Sequence, residues 1–420
     1  GRGEFEMTEN LTFPAVRELF RFGVESECDG FLRMRGGFAS EHRHTRGECV
    51  FAGWKRAFEG FEEPAVRSAA GGTGAEKSAV QEEFRVFIRK PAETERLFRL
   101  QMKFCAVDRD GRFRRFNGRN HSGYAQAGKI LAPRILAANE GISVPGGHMA
   151  GSVAVAAHNN GEALTQLTRA STQRVDLVKL MITGGVLDAA EKGTPGELKM
   201  PPEMVKAVCD QAHAMGYPVA AHTESPEGVK VALENGVDSI EHGAKMDEET
   251  VKLYKEHGAF LCTTISPALP YALFDTAVSG ASEKDQYNGR IVFDGIVESA
   301  KTALANGIPV GLGNDVGCPY ITQYDFWREL CYFHKYCGVS NQFALYTATL
   351  RNARLAGVGD VTGSLEAGKS EDLIVTRQNP LDDLRALRHL ELVACRGRVV
   401  KKPAPKRSQT VDKLLDPYLE

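Results

Sequence analysis

The strongest indication of the fold of this chain is the stretch Val175-Asp176-Leu177-Val178-Lys179-Leu180-Met181-Ile182-Thr183-Gly184-Gly185-Val186. It is a short, valine-rich apolar run bounded by glycines, which is typical of a strand buried on both faces in a parallel sheet. Lys179 lies in the middle of the run. Because a buried, unpaired ammonium group is very costly, Lys179 must be paired, neutralised or chemically modified.

Strand and helix patterns alternate on either side of this stretch. Eight parallel strands, mostly followed by helices, predict an α/β fold, the closed (β/α)8 TIM barrel. A doubly wound open sheet is the alternative, but no Gly-x-Gly-x-x-Gly turn opens a helix after the first strand. The predicted strands are 38–42, 102–107, 134–138, 175–182, 218–222, 237–242, 259–264 and 308–313. The predicted helices are 161–174, 203–216, 226–235, 247–257, 291–306, 323–336 and 341–355, with a long loop after 259–264.

Length and composition are those of an ordinary soluble globular protein. A chain of 420 residues accommodates one large domain and a smaller one. The net charge of −2 gives no reason to expect nucleic acid or a membrane as a partner. The nine cysteines are odd in number and lack a Cys-x-x-Cys pair, which is typical of reduced thiols in the cytoplasm. We therefore expect a cytoplasmic protein without a nucleic-acid or membrane partner. The sequence does not reveal its oligomeric state, and a homo-oligomer is possible.

Polar side chains recur where the later strands end. His222 ends the strand 218–222, His242 ends the strand 237–242, and Asp315 follows the last strand. In a barrel the carboxyl ends of the strands meet at one mouth, where active sites lie. A single strand-end histidine more often bonds a backbone carbonyl, but two imidazoles and a carboxylate at equivalent strand ends favour a metal site.

Several motifs occur in a recognisable order along the chain. They are Pro145-Gly146-Gly147-His148, Val178-Lys179 with Thr183-Gly184-Gly185, Ala221-His222, Ser239-Ile240-Glu241-His242-Gly243, Gly313-Asn314-Asp315 and the segment 362–375. Together they resemble the amidohydrolase superfamily, and most closely its imidazolonepropionase-like and Xaa-Pro dipeptidase-like branch. The resemblance covers roughly residues 124–400.

This resemblance implies a site with two divalent metal ions, expected to be zinc. Lys179 would be carbamylated and would bridge the two metals, which removes the problem of its buried charge. His222 and His242 would hold the second metal, and Asp315 would bind the first. Asp315 and His242 are the implied catalytic residues, with Asp315 acting as general base and then protonating the leaving group. The implied substrate is a small molecule, and His148 is implied to contact it.

The first metal of the family also requires a His-x-His pair on the first strand. His42-Arg43-His44 is the one segment that can supply it. Strand alternation places His42 and His44 on the interior face and points Arg43 outward, where a buried arginine needs a carboxylate partner. The predicted metal ligands are His42, His44, Lys179, His222, His242 and Asp315.

The resemblance also implies how the chain is divided. Residues 1–36 and 359–402 would form the two parts of a small β-sandwich, with 393–400 as one of its strands. Residues 37–358 would form the barrel, and residues 403–420 a C-terminal tail.

The predicted function is metal-dependent hydrolysis of a carbon–nitrogen bond, as in a dipeptide or an N-acyl amino acid. Two alternatives remain. The same site could hydrolyse an ester, a lactone or a phosphotriester, because an activated hydroxide serves all of these reactions. Alternatively, the chain is a non-catalytic barrel in which the first metal site is impaired.

Overall fold

The computed structural model describes residues 131–405 and 407–419. Several predictions concern segments outside this part of the chain. They are the ligands His42 and His44, the strands 38–42 and 102–107, and the sandwich segment 1–36.

Seven parallel strands form the main sheet of the described residues. They are β1 (Gly141–Ser143), β2 (Ala154–Ala156), β3 (Val178–Met181), β4 (Val219–Thr223), β5 (Ser239–His242), β6 (Phe260–Thr263) and β7 (Val310–Leu312). Their order across the sheet is β2-β1-β3-β4-β5-β6-β7, and every neighbouring pair is parallel. The carboxyl ends of the strands therefore share one edge, and the loops that follow them converge there.

Helices connect the strands. They are α1 (Asn160–Thr172), α2 (Pro202–Ala214), α3 (Pro226–Glu234), α4 (Glu248–His257), α5 (Ile265–Leu273), α6 (Thr276–Ser279), α7 (Glu283–Ala305), α8 (Phe326–Cys337), α9 (Asn341–Tyr346), α10 (Asn352–Leu355) and α11 (Gln409–Leu415). A π-helical turn, Thr347–Arg351, joins α9 to α10, and 3₁₀ turns lie at Leu384–Arg388 and Asp416–Tyr418.

One row of side chains across the sheet forms the contact with the helices. The strand register aligns Ile142, Leu180, Ala221, Ile240, Leu261 and Val310. All six are buried in one apolar cluster with residues of α2, α3 and α8. Since neighbouring residues of a strand point to opposite faces, the next row faces the other side of the sheet. That row contains Met181, His222, Glu241 and Cys262.

The five predicted strands from 175–182 to 308–313 are confirmed as β3 to β7. The prediction of a strand at 134–138 is wrong, because the strand lies at Gly141–Ser143. The segment 134–138 is held by contacts with two carboxylates instead. Arg134 forms an ion pair with Asp372, and the backbone N–H of Ala137 donates to Asp176 at 3.0 Å. The short strand Ala154–Ala156 was missed because three residues carry no readable alternation.

The predicted loop after β6 is also wrong, since α5 begins only two residues beyond the strand. Pro267 lies in the first turn of α5, where a helix needs no intrahelical N–H donor. The cap comes from Glu329 of α8, which accepts hydrogen bonds from the backbone N–H groups of Ile265 and Ser266 at 2.7 and 2.8 Å. A buried carboxylate 64 residues away thus stabilises the start of this helix.

A separate sheet of three antiparallel strands follows the helices. Its order is β10 (Arg398–Lys401), β9 (Leu390–Cys395) and β8 (Leu373–Thr376). The predicted strand 393–400 is therefore a hairpin. It turns at Arg396 and Gly397, whose φ angles of 51° and 75° suit a two-residue turn between right-twisted strands.

The C-terminal helix α11 is fixed by a buried cation. Arg328 is 1% exposed and forms ion pairs with Asp412 at 2.8 Å and with Asp416 at 2.7 Å. Arg388 binds the same two carboxylates at 3.0 and 2.9 Å. Since a buried charge without a partner is strongly destabilising, these four residues form one unit.

Candidate active site

The candidate ligands lie on the sheet face that points away from the helices. Lys179 pairs in register with Ala220, and His222 pairs with Glu241, so Lys179, His222 and Glu241 point to the same side. His242 follows Glu241 directly, and regular alternation would turn it toward the helices. Its φ angle of 69° breaks the alternation and brings its ring centroid within 4.7 Å of that of His222. Left-handed backbone at a residue other than glycine is uncommon and clusters at functional sites.

Three side chains form a compact group of metal donors. Donor atoms of His222, Glu224 and His242 all lie within 4.8 Å of one another. The structure therefore brings together the two predicted histidines and adds a carboxylate that the sequence analysis missed. The available signal was the spacing His222-Thr223-Glu224, because residues two apart on a strand share a face.

Hydrogen bonds orient both imidazoles. Nε2 of His222 lies 3.3 Å from the carbonyl oxygen of Gly184, and Nδ1 of His242 lies 2.6 Å from Oγ1 of Thr264. Each ring thus has one nitrogen engaged with the protein and the other left for a ligand. This arrangement is usual for histidines that bind metals.

The electrostatics of the group suit a cation. Burial lowers the pKa of His222 well below its usual value and that of His242 to about 4, so both rings are neutral at pH 7 and able to bind metal. Burial, together with the nearby charges of Asp315 and Asp188, raises the pKa of Glu224 to about 8. A divalent ion would offset this crowding of carboxylates.

Lys179 lies below this group on β3. Burial lowers the pKa of its ammonium group, against the attraction of Glu241 and Asp315. Within residues 131–405 and 407–419, no carboxylate forms an ion pair with it. Carbamylation of Lys179 stays a prediction.

His148 lies against the donor group, and its substrate contact stays a prediction. Its ring stacks on that of His222 with the centroids 4.0 Å apart. Its Nδ1 lies 2.5 Å from Oδ2 of Asp188, which also accepts a hydrogen bond from the backbone N–H of Gly185 at 2.8 Å. The bond with His148 lowers the pKa of Asp188 despite its partial burial. Asp188 was also missed by the sequence analysis.

Asp315 lies at the mouth with its side chain exposed and its φ angle at 47°. Its charge influences Lys179, Glu224 and His242, but its carboxylate lies outside the compact group. Sγ of Cys318 donates to its Oδ2 at 3.2 Å. The structure thus places Asp315 near the site, on the side open to solvent.

A sequence profile of the amidohydrolase family matches residues 119–401. The match covers more than half of the chain and includes the donor group, Lys179, His148 and Asp315. The chain belongs to the amidohydrolase family. The predicted resemblance is therefore confirmed. So is the predicted barrel fold, since the solved structures similar to this chain are TIM barrels.

Two solved structures and one curated relative show how this family member compares. A putative prolidase from Bifidobacterium longum is 40% identical, with a TM-score of 0.67, over 71% of this chain and 73% of that one. A Xaa-Pro dipeptidase with methionine bound in its active site is 26% identical, with a TM-score of 0.63, over 77% and 84%. Ochratoxinase of Aspergillus niger is 27% identical over 222 residues, which are 52% of this chain. The matched region spans 44% of that relative's length.

Among the described residues, no helix is long and apolar enough to cross a bilayer.

Proposed function

We propose that this amidohydrolase-family protein is a metal-dependent hydrolase that cleaves an amide or peptide bond in a dipeptide or an N-acyl amino acid. The observation that carries the proposal is the convergence of His222, His242 and Glu224 within 4.8 Å at the carboxyl edge of a parallel sheet. The relatives described as a prolidase and a Xaa-Pro dipeptidase support dipeptides as the substrate class.

The residues fit a divalent metal. Two neutral imidazoles with one nitrogen each available, and a buried carboxylate whose Oε2 has no hydrogen-bond partner among the described residues, form a donor set that zinc prefers. The family resemblance supports assigning the two metals to His42, His44, Lys179 in carbamylated form, His222, His242 and Asp315. When bound, a divalent metal lowers the pKa of a water molecule and polarises the scissile carbonyl group.

The side chains of the mouth would handle protons and substrate. Asp315 accepts the proton of the attacking water and passes it to the leaving nitrogen, a role that suits its exposed position. His148 contacts the substrate, with its ring fixed between Asp188 and His222. His242, which feels the charge of Asp315, is held in place by Thr264 and by its left-handed backbone.

We also propose that this machinery belongs to a barrel at residues 37–358. The three-stranded sheet would then be the C-terminal part, 359–402, of a small sandwich completed by residues 1–36.

Two measurements on the purified protein test the proposal. Elemental analysis should find about two divalent metals per chain. A hydrolysis screen over Xaa-Pro and other dipeptides, N-acyl amino acids and lactones should find amide cleavage that a chelator abolishes. Cleavage of lactones alone, or a chain that binds no metal, would contradict the proposal.

A further inference from the structure

We propose that Glu224 is a metal ligand that completes a one-metal site with His222 and His242, and that this site holds its ion without Lys179. The inference rests on the proposed function, because it assigns a ligand to that metal centre. Glu224 is not among the ligands implied by the family resemblance.

The position of the donors supports this assignment. Ligand atoms on one tetrahedral zinc ion lie about 3.4 Å apart, as follows from bond lengths of about 2.0–2.2 Å. The donors of His222, Glu224 and His242 already lie within 4.8 Å of one another. A small adjustment of side chains therefore closes the group around an ion. Two histidines and one glutamate are also a ligand set of catalytic zinc sites, with the fourth position open.

The backbone of Glu224 is fixed on both sides. Its N–H donates to Oγ1 of Thr183 at 3.0 Å, and the next residue, Ser225, caps α3 by accepting from the N–H of Gly228 at 3.1 Å. Gly196 packs over it so closely that a Cβ atom there would lie 2.4 Å from the carbonyl oxygen of Glu224. The fold therefore fixes the backbone of Glu224 at the site.

The carboxyl group itself lacks the partners that a buried carboxylate needs. The backbone N–H of Val186 bonds one side of it, whereas Oε2 is buried with no hydrogen-bond partner in the described part of the chain. Leaving a buried polar atom unpaired is destabilising, and more so for a charged group. Its charged neighbours Asp315 and Asp188 are of the same sign and increase that cost. A cation bound by Oε2 removes both penalties.

Cobalt titration of the metal-free protein tests the inference, because tetrahedral Co²⁺ absorbs visible light. The variants are Glu224→Gln, Glu224→Asp, Lys179→Ala and the control Glu227→Gln, which changes an exposed residue of α3. We expect Glu224→Gln to raise the dissociation constant of one ion by at least ~10-fold and to alter its spectrum. Glu224→Asp should restore part of the affinity, Lys179→Ala should keep one ion, and Glu227→Gln should match the parent.

Two results would overturn the inference. One is a Glu224→Gln variant with the cobalt affinity and the spectrum of the parent. If only the KM of such a variant rises, Glu224 binds the substrate and not the metal. The other is loss of both ions in Lys179→Ala. Thermal unfolding of the metal-free variants shows whether each of them is folded. If Glu224→Gln is not folded, the cobalt affinity and spectrum of Glu224→Asp are compared with those of the parent instead. A parent that binds no cobalt, or that hydrolyses no amide, would instead refute the proposed function.

Discussion

The imidazoles of His148 and His222 lie face to face, with centroids 4.0 Å apart and ring planes within 1° of parallel. Asp188 holds His148 from its other edge. Gly185 packs beside His148 so closely that a Cβ atom at this position would lie 3.1 Å from Cε1 of His148. A proposed substrate-contacting residue and a proposed metal ligand are therefore in direct contact.

This contact predicts a positioning role for Asp188. Asp188→Asn keeps an acceptor for Gly185 but loses the charge-assisted bond with His148, which is worth about 1.5–3 kcal/mol. We expect kcat/KM to fall by about 10-fold or more, with metal content unchanged. Asp210→Asn, which alters an exposed ion pair with Lys206, is the matched control. Full kcat/KM in Asp188→Asn would show that His148 needs no such support.

Lys179→Ala should reduce hydrolysis to background, because the proposed carbamate bridge cannot form. Added bicarbonate should not restore the variant, whereas it should raise the activity of parent protein prepared without carbon dioxide. Lys206→Ala, at an exposed lysine, should behave as the parent does. The assignment of Lys179 fails if Lys179→Ala keeps normal turnover.

Asp315→Asn should lower turnover far more than it lowers metal content. Loss of general base catalysis typically costs a factor of ~10²–10⁴, whereas one ligand lost among several weakens metal binding only in part. Steady-state kinetics and elemental analysis on the same preparation separate the two effects. Unchanged turnover would remove Asp315 from the mechanism.

The double substitution of His42 and His44 by alanine should remove about one of two metals and nearly all activity. The ion at His222 and His242 should stay bound. Elemental analysis and hydrolysis assays provide the measurements. A double variant equal to the parent in both would exclude the two histidines from the site and favour an impaired first metal site.

Acidification should lower the free energy of unfolding of the metal-free protein, because its buried histidines are neutral in the folded state. Because the folded-state pKa of His242 lies at about 4, the unfolded chain binds its proton first as pH falls below the usual value near 6.5. Neutral His242 therefore contributes roughly 3 kcal/mol to the free energy of unfolding above that pH. This contribution is lost as the pH falls from about 6.5 to 4. Buried Glu224 and Glu329, with raised pKa values, act in the opposite direction.

Comparison with His242→Gln isolates the histidine, since the two glutamates are common to both proteins. Urea unfolding at pH 7, 6 and 5 should show the parent losing stability relative to the variant. A constant difference between the two proteins would mean that His242 is not shielded from protons in the folded state.

The sequence predicted those parts of the fold that local pattern determines. Strands β3, β4, β6 and β7 contain short apolar runs, and His222 could be placed at a strand end from that pattern alone. The start of α5 could not, because the cap that stabilises it is the distant Glu329. The direction of His242 depends on a left-handed φ angle that alternation does not reveal. Glu224 could have been found from its spacing to His222, whereas Asp188 is recognised only in the structure, where it binds His148.

The pairing of Arg328 with Asp412 and Asp416 has a consequence for biosynthesis. Arg328 is synthesised more than eighty residues before Asp412 and Asp416, and the nascent chain cannot pair its guanidinium group with these two carboxylates until residue 416 has emerged. Ile265 and Leu269 of α5 share an apolar cluster with Leu415 of α11, so their full burial also requires that this part of the chain has been synthesised. Final closure of this side of the molecule therefore follows the synthesis of residue 416, and until then these apolar surfaces are accessible to chaperones.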